Sequence, residues 1–130
     1  MGEILLDSNV VIAYLEPENE NHEMSTNMLL GSNNDYFLAS LSIAECLLIA
    51  FRKGYEFAIE TLHKIKLLIA SALPLSEEIA VAAAQLGAEL NIKLADSVIL
   101  ATAHSYGIDL WTFDKRLANK SPNIRYLLQK

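Results

Sequence analysis

Four carboxylates stand where apolar runs of the chain end or turn: Asp7 after "EILL", Glu45 inside "SIAECLLIAF", Asp96 in "KLADSVILATA" and Asp114 after "DLWTF". A buried carboxylate is costly unless a cation or hydrogen-bond donors compensate it. Taken together, the four point to a shared chemistry, because converging carboxylates repel one another unless a cation lies among them. Oxygen donors of this kind suit Mg²⁺ or Mn²⁺ rather than zinc. Taken singly, each has a local role that propensity alone would satisfy. Asp7 can be a helix N-cap, and Glu45 can close an S-x-x-E capping box with Ser42. Asp96 can be a first-turn acid favoured by the helix dipole, and Asp114 a turn residue.

The elements that must position these groups follow from the apolar pattern. "EILL" reads as a short buried strand, with a helix through "SNVVIAYL" after Asp7. "EPENENHE" is a polar loop, and "EMSTNMLLG" is a helix stopped near Gly31. "DYFLAS" is a second strand, followed by apolar helices over "LSIAECLLIAFRKG" and "YEFAIETLHKIKLLIAS". "ALPL" is a short extended piece, and Ser76 caps "EEIAVAAAQLGAELN". "LADSVILATAHSYG" is a helix ending at Gly107, "IDLWTF" a strand, "KRLANK" a helical turn and "NIRYLLQ" a final edge strand. Strands alternating with helical units predict an α/β fold: a mostly parallel twisted sheet of four to five strands with helices on both faces. Ligand sites in such sheets lie beyond the carboxyl ends of the strands. That rule puts Asp7 and Asp114 on one rim and lets Glu45 face it, but does not by itself place Asp96.

At 130 residues the chain is expected to form one domain over 1–130 with a sizeable core. Its hydrophobic fraction of 52% argues against disorder. The longest uncharged stretch, "LLIASALPLS", is too short and interrupted for a membrane span, and no basic region precedes an apolar leader. The single Cys46 excludes an internal disulfide. A cytoplasmic location is the expectation. The net charge of −6 argues against broad, non-specific nucleic-acid binding. Its distribution is uneven: −8 over residues 1–51, which hold no Lys or Arg, −1 over 52–92 and +3 over 93–130. Glu16, Glu18, Glu20 and Glu23 read as a solvated face.

Three blocks then carry a resemblance. "ILLDSNVVIAYL", "SLSIAECLLIAF" and "LADSVILATAHSYGIDLWTFDKRL" occur in the order found in PIN domains, and the chain resembles most closely the small VapC-type ribonuclease toxins. The resemblance spans nearly the whole chain. It puts Asp7, Glu45, Asp96 and Asp114 on the family's acidic tetrad, with no departure in residue type. Asn9 falls on a polar position near the family's metal site, and Thr112 on the Ser/Thr of its Thr-x-Asp turn. The resemblance implies hydrolysis of RNA phosphodiester bonds with one or two Mg²⁺ or Mn²⁺ ions, Asp7 and Asp96 being principal ligands. It also implies a homodimer and a cognate antitoxin protein. Lys93, Lys115, Arg116, Arg52 and Lys53 are the candidate phosphate contacts, with Lys115 and Arg116 favoured because they adjoin Asp114.

Three other readings compete. A non-catalytic PIN-like binding module, for protein or RNA, need not keep all four acids; an RNA-processing nuclease outside any toxin–antitoxin pair would keep them. A phosphatase of the haloacid dehalogenase type wants Asp-x-Asp after the first strand, whereas this chain has Asp7-Ser8-Asn9. His22, His63 and His104 show no metal-ligand spacing, no H-E-x-x-H occurs, and Trp111 reads as core.

Overall fold

The structure, a computed structural model, describes residues 2–127. Five strands, β1 (Glu3–Leu6), β2 (Asp35–Ala39), β3 (Ser71–Leu73), β4 (Asp109–Thr112) and β5 (Ile124–Tyr126), form one sheet in the order β3-β2-β1-β4-β5. Every pairing is parallel, with Leu5 opposite Phe37 on one side and Leu110 on the other. Seven helices connect them: α1 (Ser8–Leu15), α2 (His22–Gly31), α3 (Ser40–Lys53), α4 (Tyr55–Leu68), α5 (Glu77–Leu90), α6 (Leu94–Tyr106) and the single turn α7 (Lys115–Ala118).

Side chains alternate across a strand, so each strand feeds two cores. Ile4, Leu6, Tyr36, Leu38 and Trp111 point to one face and pack with Val10, Val11, Leu29, Cys46 and Ile65 from α1 to α4. Leu5 and Leu110 point to the other and pack with Ile99, Leu100 and Ala103 of α6 and Leu117 of α7. This two-sided burial explains why the strands read as continuous apolar runs rather than alternating ones.

Most predicted ends hold. Gly107 closes α6 in the left-handed conformation (φ 65°), and Gly54 (φ 139°) turns α3 directly into α4. Ser76 caps α5 by accepting from the Ile79 N–H. One boundary is corrected: α4 stops at Leu68, short of Ser71. Ser71–Leu73 instead pairs with β2, and the Ala70 N–H already donates to Tyr36 O at 2.7 Å. Sheet hydrogen bonds at the edge thus outweigh the helical periodicity of "KLLIAS". β5 is an edge strand as expected over Ile124–Tyr126; Leu128 and Gln129 of the predicted strand lie outside the described residues. Among the described residues no helix is long and apolar enough to cross a membrane.

Candidate active site

The strand order reverses between β1 and β4, the switch point beyond whose strand carboxyl ends ligand sites form in such sheets. Asp7 follows β1 at this edge, and its N–H extends the ladder by donating to Trp111 O at 3.0 Å. Asp7 occupies the N-cap position of α1, but its side chain makes no capping bond. Instead Oδ2 accepts from the Thr112 hydroxyl at 2.7 Å. The same hydroxyl oxygen accepts from Asn9 Nδ2 (3.3 Å) and from the Asp114 N–H (2.9 Å). Two N–H donors on that oxygen leave its one proton to Asp7, so the direction of the Thr112–Asp7 bond is fixed. Asn9 also accepts from the Phe113 N–H at 3.2 Å and so ties α1 to the turn after β4. Asn9 and Thr112 therefore join two segments, residues 7–9 and 112–114, around Asp7.

Asp114 caps the short α7, its Oδ1 accepting from the N–H groups of Arg116 (2.9 Å) and Leu117 (3.3 Å). Its local role is therefore real, and its second oxygen is left out of the cap. Glu45 departs from its local reading. α3 starts at Ser40, so Ser42 and Glu45 lie inside the helix rather than at its cap. Ser42 Oγ and Glu45 Oε1 are both buried without a hydrogen-bond partner. A capping box would have satisfied them; here the carboxylate oxygen is orphaned, which is unusual for a buried polar atom.

Asp96 joins the group for a reason of topology. α6 leads straight into β4 and must run antiparallel to it, from the carboxyl edge of the sheet to the amino edge, where Asp109 begins the strand opposite Ile4. Its first turn, with Asp96, therefore lies at the carboxyl edge. The carboxyl-rim rule alone does not place Asp96, because it needs the direction of α6, which runs away from that edge into β4.

The electrostatics report the gathering. Asp7, only 5% exposed, has its carboxyl pushed up to about 6. Burial is the main cause, the Thr112 bond opposes it, and the Asp96 charge and more weakly that of Glu45 add to it. Asp96 is raised as well, by burial and then by Asp114, while Lys93 and Arg116 pull the other way. Cys46 lies within reach of the same field: burial, then Glu45, Asp7 and Glu16, push its thiol up to about 12. It stays a neutral, buried core residue.

The donor chemistry fits a hard divalent ion, since every candidate atom is an oxygen and Glu45 Oε1 has no other partner. Among the described residues, no three His, Cys, Asp or Glu side chains form a ready ligand group.

The candidate cations divide. Lys93 and Arg116 line a cavity of about 310 Å³ together with Asp96 and Asp114. Lys115 is exposed on α7 and faces a separate hollow with Asn119 and Tyr126. Arg52 and Lys53 end α3, seven and eight residues beyond Glu45 and so about 10 Å or more along the axis. Lys53 pairs with Glu16 at 3.5 Å and lies over the Phe57 ring, so the Glu16 end of the acidic stretch is not simply solvated. Lys120, which also lines the cavity with Asp96, was missed. Its signal was its spacing four residues after Arg116 in a helical turn.

The family model described as PIN domain matches residues 4–121. No curated protein matches the chain. Among solved structures, the chain is similar to a toxin–antitoxin complex from Klebsiella pneumoniae, with TM-score 0.83 and 20% identity, covering 98% of this chain and 99% of that chain. It is similar to a sarcin–ricin loop cleaving VapC toxin from Mycobacterium tuberculosis, with TM-score 0.77 and 14% identity, covering 89% and 93%. It is also similar to FitAcB from Neisseria gonorrhoeae, with TM-score 0.72 and 27% identity, covering 90% and 91%.

Proposed function

This chain belongs to the PIN domain family, and from that premise we propose that it is a metal-dependent endoribonuclease and the toxin of a toxin–antitoxin pair. The observation that carries the reading is the gathering of Asp7, Glu45, Asp96 and Asp114, from four distant segments, at the switch point of the sheet, with Glu45 Oε1 buried and unpartnered. A core that needed only to be stable would not retain this arrangement, because each uncompensated carboxylate costs free energy. The toxin–antitoxin context is supported by the likeness to a structure described as a toxin–antitoxin complex, over 98% of this chain. A cognate antitoxin and a dimeric assembly belong to the same proposal.

Asp7 and Asp96 would be the principal ligands of Mg²⁺ or Mn²⁺, with Glu45 and Asp114 as second ligands or water-orienting groups. Such an ion supplies Lewis-acid chemistry, acidifying water and offsetting phosphate charge. The protein's own contribution is positioning. The Thr112 hydroxyl donates to Asp7 Oδ2 and so favours its ionised form against the pull of burial. Asn9 and the α7 cap hold Asp114 in register with it. Water adds to phosphorus as the P–O3′ bond breaks, and the products are a 5′-phosphate and a 3′-hydroxyl.

The test is cleavage of small structured RNAs in Mg²⁺ or Mn²⁺, with EDTA as control and an Asp7→Asn variant beside the wild type. The expected result is activity abolished by EDTA and reduced at least about 100-fold by the variant. Cleavage that persists equally in either would overturn the reading. Growth arrest on expression, relieved by the same variant, separates a toxin from an RNA-processing nuclease.

A further inference from the structure

The cavity beside Asp96 and Asp114 is not accounted for by holding an ion. Its volume of about 310 Å³ lies at the low end of the roughly 300–1,000 Å³ that ligand pockets span, which suits one nucleotide rather than a base pair. Three cations reach it from separate backbone positions: Lys93 just before α6, Arg116 on α7 and Lys120 in the turn after α7. Among the described residues the ion pair within 4.0 Å is Lys53–Glu16, so none of these three is neutralised by a carboxylate at that distance. Two amide side chains, Asn91 and Asn119, line the same space. Asn91 holds the left-handed turn that ends α5 (φ 53°), which fixes the backbone that presents it.

We propose that this cavity is the subsite for the nucleotide flanking the scissile phosphate, its outer phosphate held by Lys93, Arg116 and Lys120 and its base read by Asn91 and Asn119. The inference rests on the nuclease reading for the position of the scissile bond, since Asp96 and Asp114 of the proposed tetrad also line the cavity. The anions and the cations of this lining have distinct work. The carboxylates face the bond to be broken, and the three cations offset the next phosphate along the strand. Amide side chains offer a donor and an acceptor each, the pairing that base edges present when a strand is unpaired. Such a subsite takes an unpaired nucleotide, reached over the C-terminal third of the chain.

The test is fluorescence anisotropy with labelled RNA decamers of each base, and a duplex of the same length, in Mg²⁺. The protein carries Asp7→Asn so that the RNA is not consumed. Adding Lys120→Ala or Arg116→Ala is expected to weaken binding about five- to tenfold each. Each should also flatten the dependence of log affinity on log salt by about 0.7, as for one lost single-strand phosphate contact. Asn91→Gly, which keeps the left-handed turn, is expected to change the ranking of the four decamers and leave the salt slope alone. Unchanged affinity and slope in both cation variants, or duplex binding as tight as single-strand binding, would overturn the subsite. Lys120 and Arg116 are exposed, so melting temperatures should match and loss of fold is checked directly. The two readings fail separately. Cleavage by the wild type with unaltered binding in the cation variants sinks the subsite alone. Binding that needs Lys120 in a protein that cleaves no RNA with either metal sinks the nuclease reading alone.

Discussion

Burial lifts the Asp7 carboxyl from 3.8 to about 6, so the folded chain binds that proton more tightly than the unfolded chain does. The stability linked to this group is therefore full below 3.8 and is lost as pH rises through about 6. Asp7→Asn keeps an oxygen for the Thr112 hydroxyl and removes the buried charge. It should stabilise the protein by on the order of 2 kcal/mol at pH 8 in EDTA and by almost nothing at pH 3.5. Thermal melts at the two pH values check this; no gain at pH 8 would contradict the burial argument. Thr112 acts in the opposite sense. Thr112→Val strips Asp7 of its donor and leaves Asn9 Nδ2 and the Asp114 N–H without their acceptor. Urea unfolding should show a loss of about 2–3 kcal/mol, most of it restored by Thr112→Ser. The residue types of this network were legible in the sequence, but its bonds were not. Asp7 and Thr112 are 105 positions apart, and no local rule distinguishes a carboxylate that caps a helix from one that bonds across the sheet.

At the scale of elements, the position of Asp96 depends on how α5 and α6 pack. A Cβ placed at Gly87 of α5 would meet Ser97 Oγ of α6 at 3.3 Å, one residue from Asp96. Gly87→Val should therefore press α6 away, costing roughly 1–3 kcal/mol. It should also lower RNA cleavage although no site residue is altered. Activity equal to wild type per folded molecule would show that Asp96 tolerates movement of its helix. Helices and most of their ends were readable from apolar spacing, Ser76, Gly54 and Gly107. The α4–β3 boundary was not, since "KLLIAS" carries a helical pattern and only pairing with Tyr36 and Phe37 ends it. The direction of α6 was implicit in a parallel sheet, yet it needed the full strand order to be used.

Across the whole molecule, an ion held by the four acids would bind the folded state alone and raise its stability by mass action. Mg²⁺ or Mn²⁺ should raise Tm in proportion to the logarithm of its concentration. The increase should shrink as pH falls below about 6, where protons compete for Asp7. An increase independent of pH, or one kept by Asp7→Asn, would place the ion elsewhere. The charge map would restrict the approach of the proposed RNA substrate in the same way at every pH above that range. The first 51 residues carry −8, while the cavity cations Lys93, Arg116 and Lys120 all lie in the last 38 positions. By itself the sequence determined the layered parallel fold, the positions of the four acids along the chain and the uneven distribution of charge, because periodicity, residue type and net charge are properties of segments. Tertiary structure alone decided which acid bonds to Thr112, that Glu45 keeps an oxygen unsatisfied, that Asp96 reaches the rim and that Lys120 joins the cavity. Those outcomes depend on contacts between segments far apart in the chain, which only the strand order and the packing of both helical layers can bring about.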